Sequence, residues 1–307
     1  MTKLLITGGS GFIGREFQSR VPDSRWVLRE NSSSNVKDYF VIDELNERTD
    51  WTGAFEQIDT VIHLAAAAHS KNHSANYYDT VNYEGTMRLA SEAVLAGVKR
   101  FVFISTIGVN GSSTKDFAFS KDSKAYPHNS YAYSKYKAEC GLKRIAKESG
   151  LELVIVRPTL VYGPGAPGNF GTLVKFISLF RVLPFGLANN RRDFIAVQNL
   201  VDLLITCSSH PKAAGQIFLA SDGETMCTKE FTNAIAEGLS KRVFQLPVPV
   251  SLMRLAGHLT GRAGVVEQLF GNLEVDSSNI KEELGWTPPL TMKQAMAKLR
   301  DFGVKGK

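Results

Sequence analysis

Short apolar runs alternate with amphipathic stretches along the first half of the chain. Residues 3–7 read as a buried strand, and residues 12–20 open as a helix. Further strands are expected at 25–29, 39–43, 59–63 ("DTVIH"), 100–106 ("RFVFIST") and 151–156. Between them, 77–97 reads as a long helix ending in a glycine cap, and 131–149 as another. These strands are apolar along their whole length. Such strands are covered on both faces, and helices between them imply a parallel sheet. The expected fold class is therefore α/β, a doubly wound Rossmann sheet with helices on both faces.

After Arg157 the pattern loosens. Residues 158–190 hold five glycines and four prolines, too many for regular elements, and read as the wall of a site. Residues 199–219 return to helix and strand, and 224–307 read as a small α-rich cap. The expected division is a nucleotide-binding domain from 1–157 plus about 191–220. The substrate-binding region would be 158–190 plus 221–307.

Three glycines, Gly8, Gly11 and Gly14, fall in "TGGSGFIG" between the first strand and the first helix. The first permits a tight turn, the second lets the backbone approach a pyrophosphate, and the third lets helix and strand pack closely. A pyrophosphate would rest on the free N–H groups that open the helix. This context makes the stretch a dinucleotide site. The second strand ends in Arg29, where an acid would bind the adenosine ribose; an arginine there suits a 2′-phosphate. Glu30 follows, and a one-residue slip would restore an acid. The cofactor is NADP(H) or NAD(H), with Arg29 favouring NADP(H).

Tyr131 and Lys135 are four apart, which on a helix is one shared face. A phenol, with a pKa of about 10, is a poor base at neutral pH. A nearby ammonium and a cationic nicotinamide stabilise the phenolate, so Tyr131 can exchange a proton with a sugar hydroxyl or ketone. Thr106, at the end of the fifth strand, is placed to polarise the reacting oxygen. Tyr133 and Tyr136 read as packing or surface residues.

Composition narrows the class. The three cysteines, Cys140, Cys207 and Cys227, are far apart, which fits a reducing cytoplasm and neither a disulfide framework nor a zinc site. His63, His69, His73 and His128 read as polar residues without a metal. The net charge is +6, no basic stripe is interleaved with aromatics, and no apolar run reaches 18 residues. Neither nucleic acid nor an integral membrane segment is expected. Residues 250–261 ("VSLMRLAGHLTG") are amphipathic and read as a cap helix.

The chain resembles the extended short-chain dehydrogenase/reductase family, in its NAD-dependent nucleotide-sugar epimerase/dehydratase branch. The resemblance rests on "TGGSGFIG", "VIHLAAAA", "VNYEGT", "FVFISTIGVNG", "YAYSK", "RPTLVYGPG", "RRDFIAVQNLVD" and "LGWTPPL". It implies a catalytic set of Thr106, Tyr131 and Lys135. It implies that Phe12, Ile13, Asp43, Leu64, Ala65, Ala66, Asn82 and Pro158 join the glycines, Arg29, Tyr131 and Lys135 around the cofactor. It also implies that Asn169 and Arg192 reach the nucleotide diphosphate, with Thr106 at the sugar. An ion pair between Arg192 and Asp193 is the competing use of that arginine. Asn110 stands where relatives carry Tyr, and a second family arginine before "VDSSNIKEELGW" is missing. Glu267, Gln268 or Asn272 stands there instead, with Arg262 earlier.

The activity so implied is NAD(P)-dependent chemistry at C4 of a UDP-hexose or UDP-N-acetylhexosamine. A UDP-4-keto-sugar reductase of surface-polysaccharide synthesis is favoured. The alternative is a UDP-glucose or UDP-GlcNAc 4-epimerase with retained NAD; a non-catalytic NADP-binding regulator is more remote. A 4,6-dehydratase typically has an Asp-Glu pair after the strand-end hydroxyl, where this chain has Ile107 and Gly108. A homodimer through the helices near 77–97 and 131–149 is expected by the same resemblance.

Overall fold

The computed structural model describes residues 3–30, 36–68 and 74–300. Its strands are β1 (Leu4–Thr7), β2 (Arg25–Arg29), β3 (Tyr39–Ile42), β4 (Thr60–His63), β5 (Arg100–Ile104), β6 (Glu152–Pro158), β7 (Leu160–Tyr162), β8 (Val182–Leu183), β9 (Phe194–Ala196), β10 (Ile217–Ala220) and β11 (Phe244–Gln245). Seven form one sheet in the order β3-β2-β1-β4-β5-β6-β10, and every pairing in it is parallel. This is the doubly wound Rossmann order, which reverses direction between β1 and β4. The expected fold class is the one observed.

Alternate residues of the strands feed two separate cores, as the pleat requires. Ile6, Leu28, Ile62, Val102 and Val154 pack with α1 (Phe12–Gln18). The same core takes Leu200, Val201 and Leu204, which lie within the segment Val197–Ser209. Leu5, Val27, Val61, Phe101 and Leu153 face the opposite layer, with Leu89, Ala93, Ala138 and Leu142. Helices on that second face begin with α2 (Ala75–Asp79), which passes through a π-helical turn (Thr80–Glu84) into α3 (Gly85–Leu95). The expected single helix is thus interrupted by a wide turn, and that turn carries Asn82 inward. Next comes α4 (Ser130–Ser149), capped by Asn129 at its start and left-handed Gly150 at its end.

Of the later elements, α5 (Gly168–Leu179), α6 (Val197–Ser209), α7 (Thr228–Gly238), α8 (Val250–Leu259), α9 (Ala263–Phe270), α10 (Ser278–Leu284) and α11 (Met292–Ala297), α6 and α10 pack on the first core and the others join a third. Tyr162, Phe170, Phe194 and Phe231 form its aromatic centre, with Phe194 stacked on Phe231 at 3.8 Å between centroids. Two short parallel pairs, β7 with β9 and β8 with β11, hold these segments together. α10 and Trp286 pack back on the first core, where the Trp286 indole donates to Asp202 at 2.7 Å. Among the described residues no helix is long and apolar enough to cross a membrane.

Candidate active site

The carboxyl ends of β1, β4 and β5 meet at one place, where doubly wound sheets bind ligands. Gly8 follows β1 at φ +77°, a region that strains any side chain. A methyl group on Gly8 would stand 2.7 Å from the Ala65 backbone nitrogen, and one on Gly14 would overlap the Gly8 carbonyl. The loop is therefore closed to side chains and open only to backbone. Gly11 donates to the Gly8 carbonyl at 3.0 Å, and no acid stands in the first turn of α1. Ile13 packs on the sheet core and Phe12 on the later aromatic core. Leu64, Ala65 and Ala66 follow β4 and are partly exposed.

Behind this loop lies a buried polar chain. Thr7 Oγ1 meets His63 Nδ1 at 2.7 Å, and His63 Nε2 meets Thr86 Oγ1 at 2.9 Å. Burial, then the Lys135 charge, push the His63 imidazole well below its ordinary pKa. His63 is thereby a strut between sheet and helix. His128 meets the Gly108 carbonyl and Asn129. His69 and His73 lie outside the described residues. Asn82 accepts from Ala67 N–H at 2.8 Å, donates to the Ala67 carbonyl at 3.1 Å and to Ser134 Oγ at 3.0 Å. It ties the loop after β4 to α4.

Arg29 ends β2 opposite Ile42 and is exposed, as is Glu30. Asp43, one residue past β3, is exposed too. Pro158 ends β6, is buried, and pairs with Ala220.

Tyr131 lies in the first turn of α4 with its ring 6.1 Å from that of Tyr78. Burial, then Tyr78, push its phenol up to about 12. Lys135 is 1% exposed, with its ammonium 4.0 Å from the centre of the Phe103 ring. Burial pulls its pKa down to about 7, while Glu139 acts the other way. Among the described residues Lys135 forms no ion pair. Thr106 Oγ1 accepts from Gly108 N–H at 3.1 Å, which leaves its own proton to donate elsewhere.

Sequence reasoning missed what lies under this set. Glu139 is one further turn along the same face of α4. It accepts from Arg157 Nε at 2.9 Å, Arg157 Nη2 at 2.5 Å and Ser105 Oγ at 2.5 Å. Arg157 Nη1 reaches Asn110 Oδ1 at 3.0 Å. This cluster joins α4, β6 and both sides of Thr106, and it gives Asn110 its reason. The four-residue spacing from Lys135 to Glu139 was the available signal.

Arg192 donates to the Gly271 carbonyl at 2.9 Å, and burial pulls its pKa down to about 10. The alternative ion pair with Asp193 does not form. Asp193 accepts instead from Thr225 at 2.6 Å and Val275 N–H at 2.7 Å. Arg191 and Arg254 pair with Glu274 and Glu267. Arg192 pairs with no carboxylate among the described residues, which suits a guanidinium waiting for an anion. Asn169 is exposed and bonds Gln268 of α9 at 2.9 Å, while Asn272 accepts from Arg191 N–H. Asn169 and Arg192 thus converge on the end of α9.

Residues 4–220 match the sequence pattern of the NAD dependent epimerase/dehydratase family. The chain belongs to that family. A UDP-glucose 4-epimerase of Vibrio cholerae is 40% identical to it, across 95% of this chain and 92% of the relative. In fold it is similar to the UDP-glucose 4-epimerase of Thermotoga maritima solved with UDP-glucose, at 21% identity and a TM-score of 0.77 over 99% of both chains. It is likewise similar to the enzyme WbmG of Bordetella bronchiseptica solved with NAD, at 21% identity and a TM-score of 0.74 over 99% of this chain and 94% of that one.

As a member of the NAD-dependent epimerase/dehydratase family, the chain is an extended short-chain dehydrogenase/reductase enzyme whose cofactor is a nicotinamide dinucleotide. The residues present fit that group. A Cβ at Gly8 or Gly14 would collide with backbone, so only glycine lets the turn stay tight at the open start of α1, and among the described residues the buried Lys135 ammonium forms no ion pair.

Proposed function

We propose that the enzyme interconverts the two C4 epimers of a UDP-hexose or UDP-N-acetylhexosamine, using a retained NAD. The observation that carries this reading is the stacking of Tyr131, Lys135 and Glu139 along one face of α4, with Glu139 anchored by Arg157. The 40% identical UDP-glucose 4-epimerase supports the sugar and the net reaction.

When bound, the nicotinamide supplies the hydride acceptor and then the hydride donor. Gly8, Gly11 and Gly14 would take its pyrophosphate. Lys135 would hold the ribose hydroxyls and, as ammonium, lower the phenol of Tyr131. Tyr131 removes the proton from O4 while Thr106 donates a hydrogen bond to the same oxygen. After the sugar turns over, Tyr131 returns that proton to O4. Atoms and electrons balance within the sugar, so no reductant is consumed. Arg192 and Asn169 hold the diphosphate, and residues 158–190 with 221–307 form the substrate wall. The reading includes a homodimer through α3 and α4, where Tyr133, Tyr136 and Arg144 border a cavity of about 250 Å³. It also includes a cytoplasmic setting, in which Cys140, Cys207 and Cys227 remain free thiols.

The second reading, a UDP-4-keto-sugar reductase, rests on Arg29. Its exposed guanidinium at the end of β2 suits the 2′-phosphate of NADPH. Tyr131 would then donate one proton to O4 as hydride enters C4. The nucleotide released on denaturing the purified protein separates the two. Tightly held NAD, with UDP-sugar interconversion and no added cofactor, supports the epimerase. NADPH consumed in step with a 4-keto sugar would replace it with the reductase.

A further inference from the structure

α8 has more apolar faces than the fold uses. Met253 and Gly257 turn inward, the glycine against Val266. Leu252, Leu255 and Leu259, at spacings of three and four, turn outward, with Leu255 56% and Leu259 80% exposed. The end of α5 does the same with Phe176, Leu179 and Phe180. Pairing of β8 with β11 joins these segments by setting Val182 beside Phe244, both exposed, and Lys241 reaches the Ser178 carbonyl. Exposed apolar surface of this extent marks an interaction site.

Charge identifies the partner. Residues 173–184 and 241–266 hold six lysines and arginines and no aspartate or glutamate. The net charge of the whole chain is +6, so elsewhere its cations and anions cancel. Arg254 pairs with Glu267, just past this stretch. Lys175, Arg181, Lys241, Arg242 and Arg262 form no ion pair among the described residues. Leucines and phenylalanines on segments that carry cations without carboxylate partners match the interface of an anionic bilayer, where the apolar side chains enter the acyl boundary and the cations meet headgroup phosphates.

We propose that α8, the end of α5 and the β8–β11 pair form a docking face for an anionic lipid surface. The face lies apart in sequence from the catalytic helix α4. Just past β8 in sequence, exposed Leu187 lines a cavity of about 700 Å³ with Asn190, Arg191 and Lys229.

The test is co-sedimentation of the full chain with vesicles. One set is phosphatidylglycerol with phosphatidylcholine in equal parts; the other is phosphatidylcholine alone. Binding is expected to the anionic set at low salt and to fall steeply as salt screens the charges. The exposed double substitution Leu255→Glu with Leu259→Glu should abolish it. Arg181→Gln with Arg242→Gln and Arg262→Gln should weaken it on the order of a hundredfold, at several-fold per cation. Circular dichroism melting should show both variants folded. The proposal is overturned if wild type ignores anionic vesicles, or if both variants bind as wild type does. It is equally overturned if L255E/L259E dissolves a lipid-free oligomer, which would give the face to a second copy. Sedimentation needs no turnover, so its outcome is independent of the proposed reaction.

Discussion

Arg157 grips Glu139 through two parallel hydrogen bonds in a site where neither side chain meets solvent, at 2.9 and 2.5 Å. The pair lies one turn below Lys135 and beside Ser105, the neighbour of Thr106. Removing one partner of such a pair strands a buried charge and costs about 3–5 kcal/mol. Glu139→Ala should therefore lower unfolding stability by about that amount in urea titration. The double substitution Glu139→Leu with Arg157→Met should recover much of it, because no unpaired charge remains.

Tyr131 is assigned the proton. Tyr131→Phe keeps the ring against Tyr78 and removes only the hydroxyl. Turnover should drop by about 10²- to 10⁴-fold. The amount of nucleotide co-purifying with the protein should not change. Turnover within twofold of wild type would remove Tyr131 from the mechanism.

Lys135 gives a pH signature. Its pKa is about 7 in the fold and 10.5 in the open chain. Between those values the unfolded chain binds more protons, so stability from this group rises with pH from about 7 to 10.5. It is lost as pH falls from 10.5 to about 7, and below that both states hold the proton and the contribution no longer changes. Lys135→Met removes the buried charge. In nucleotide-free protein the variant should be the more stable at pH 7, and the gap should close by pH 10.5. Parallel urea midpoints at both pH values would disprove the burial argument.

Arg192 pairs with no carboxylate among the described residues, and the proposed function gives it the diphosphate. Arg192→Met should raise KM for the nucleotide sugar by about 10- to 100-fold, the worth of a charged hydrogen bond, with a smaller change in kcat. Arg192→Lys should recover only part, since an ammonium cannot reproduce the planar fork. A KM unchanged in Arg192→Met would move the diphosphate site elsewhere.

What the sequence determined by itself was local. Continuous apolar strands, the "TGGSGFIG" turn and the four-residue step from Tyr131 to Lys135 each follow from short-range geometry, so periodicity and glycine spacing disclosed them. The π turn at Thr80–Glu84 was hidden, because its purpose, aiming Asn82 at Ala67 and Ser134, involves segments far along the chain. The same holds for Arg157 and Glu139, 18 residues apart, and for Asp193, whose partners Thr225 and Val275 no local rule could nominate. Only the tertiary structure decided which buried charges meet a counter-charge and which, like Arg192, meet only a backbone carbonyl. Long-range pairing of polar groups is selected by the desolvation cost of leaving them alone, and that cost exists only once the chain has closed around them.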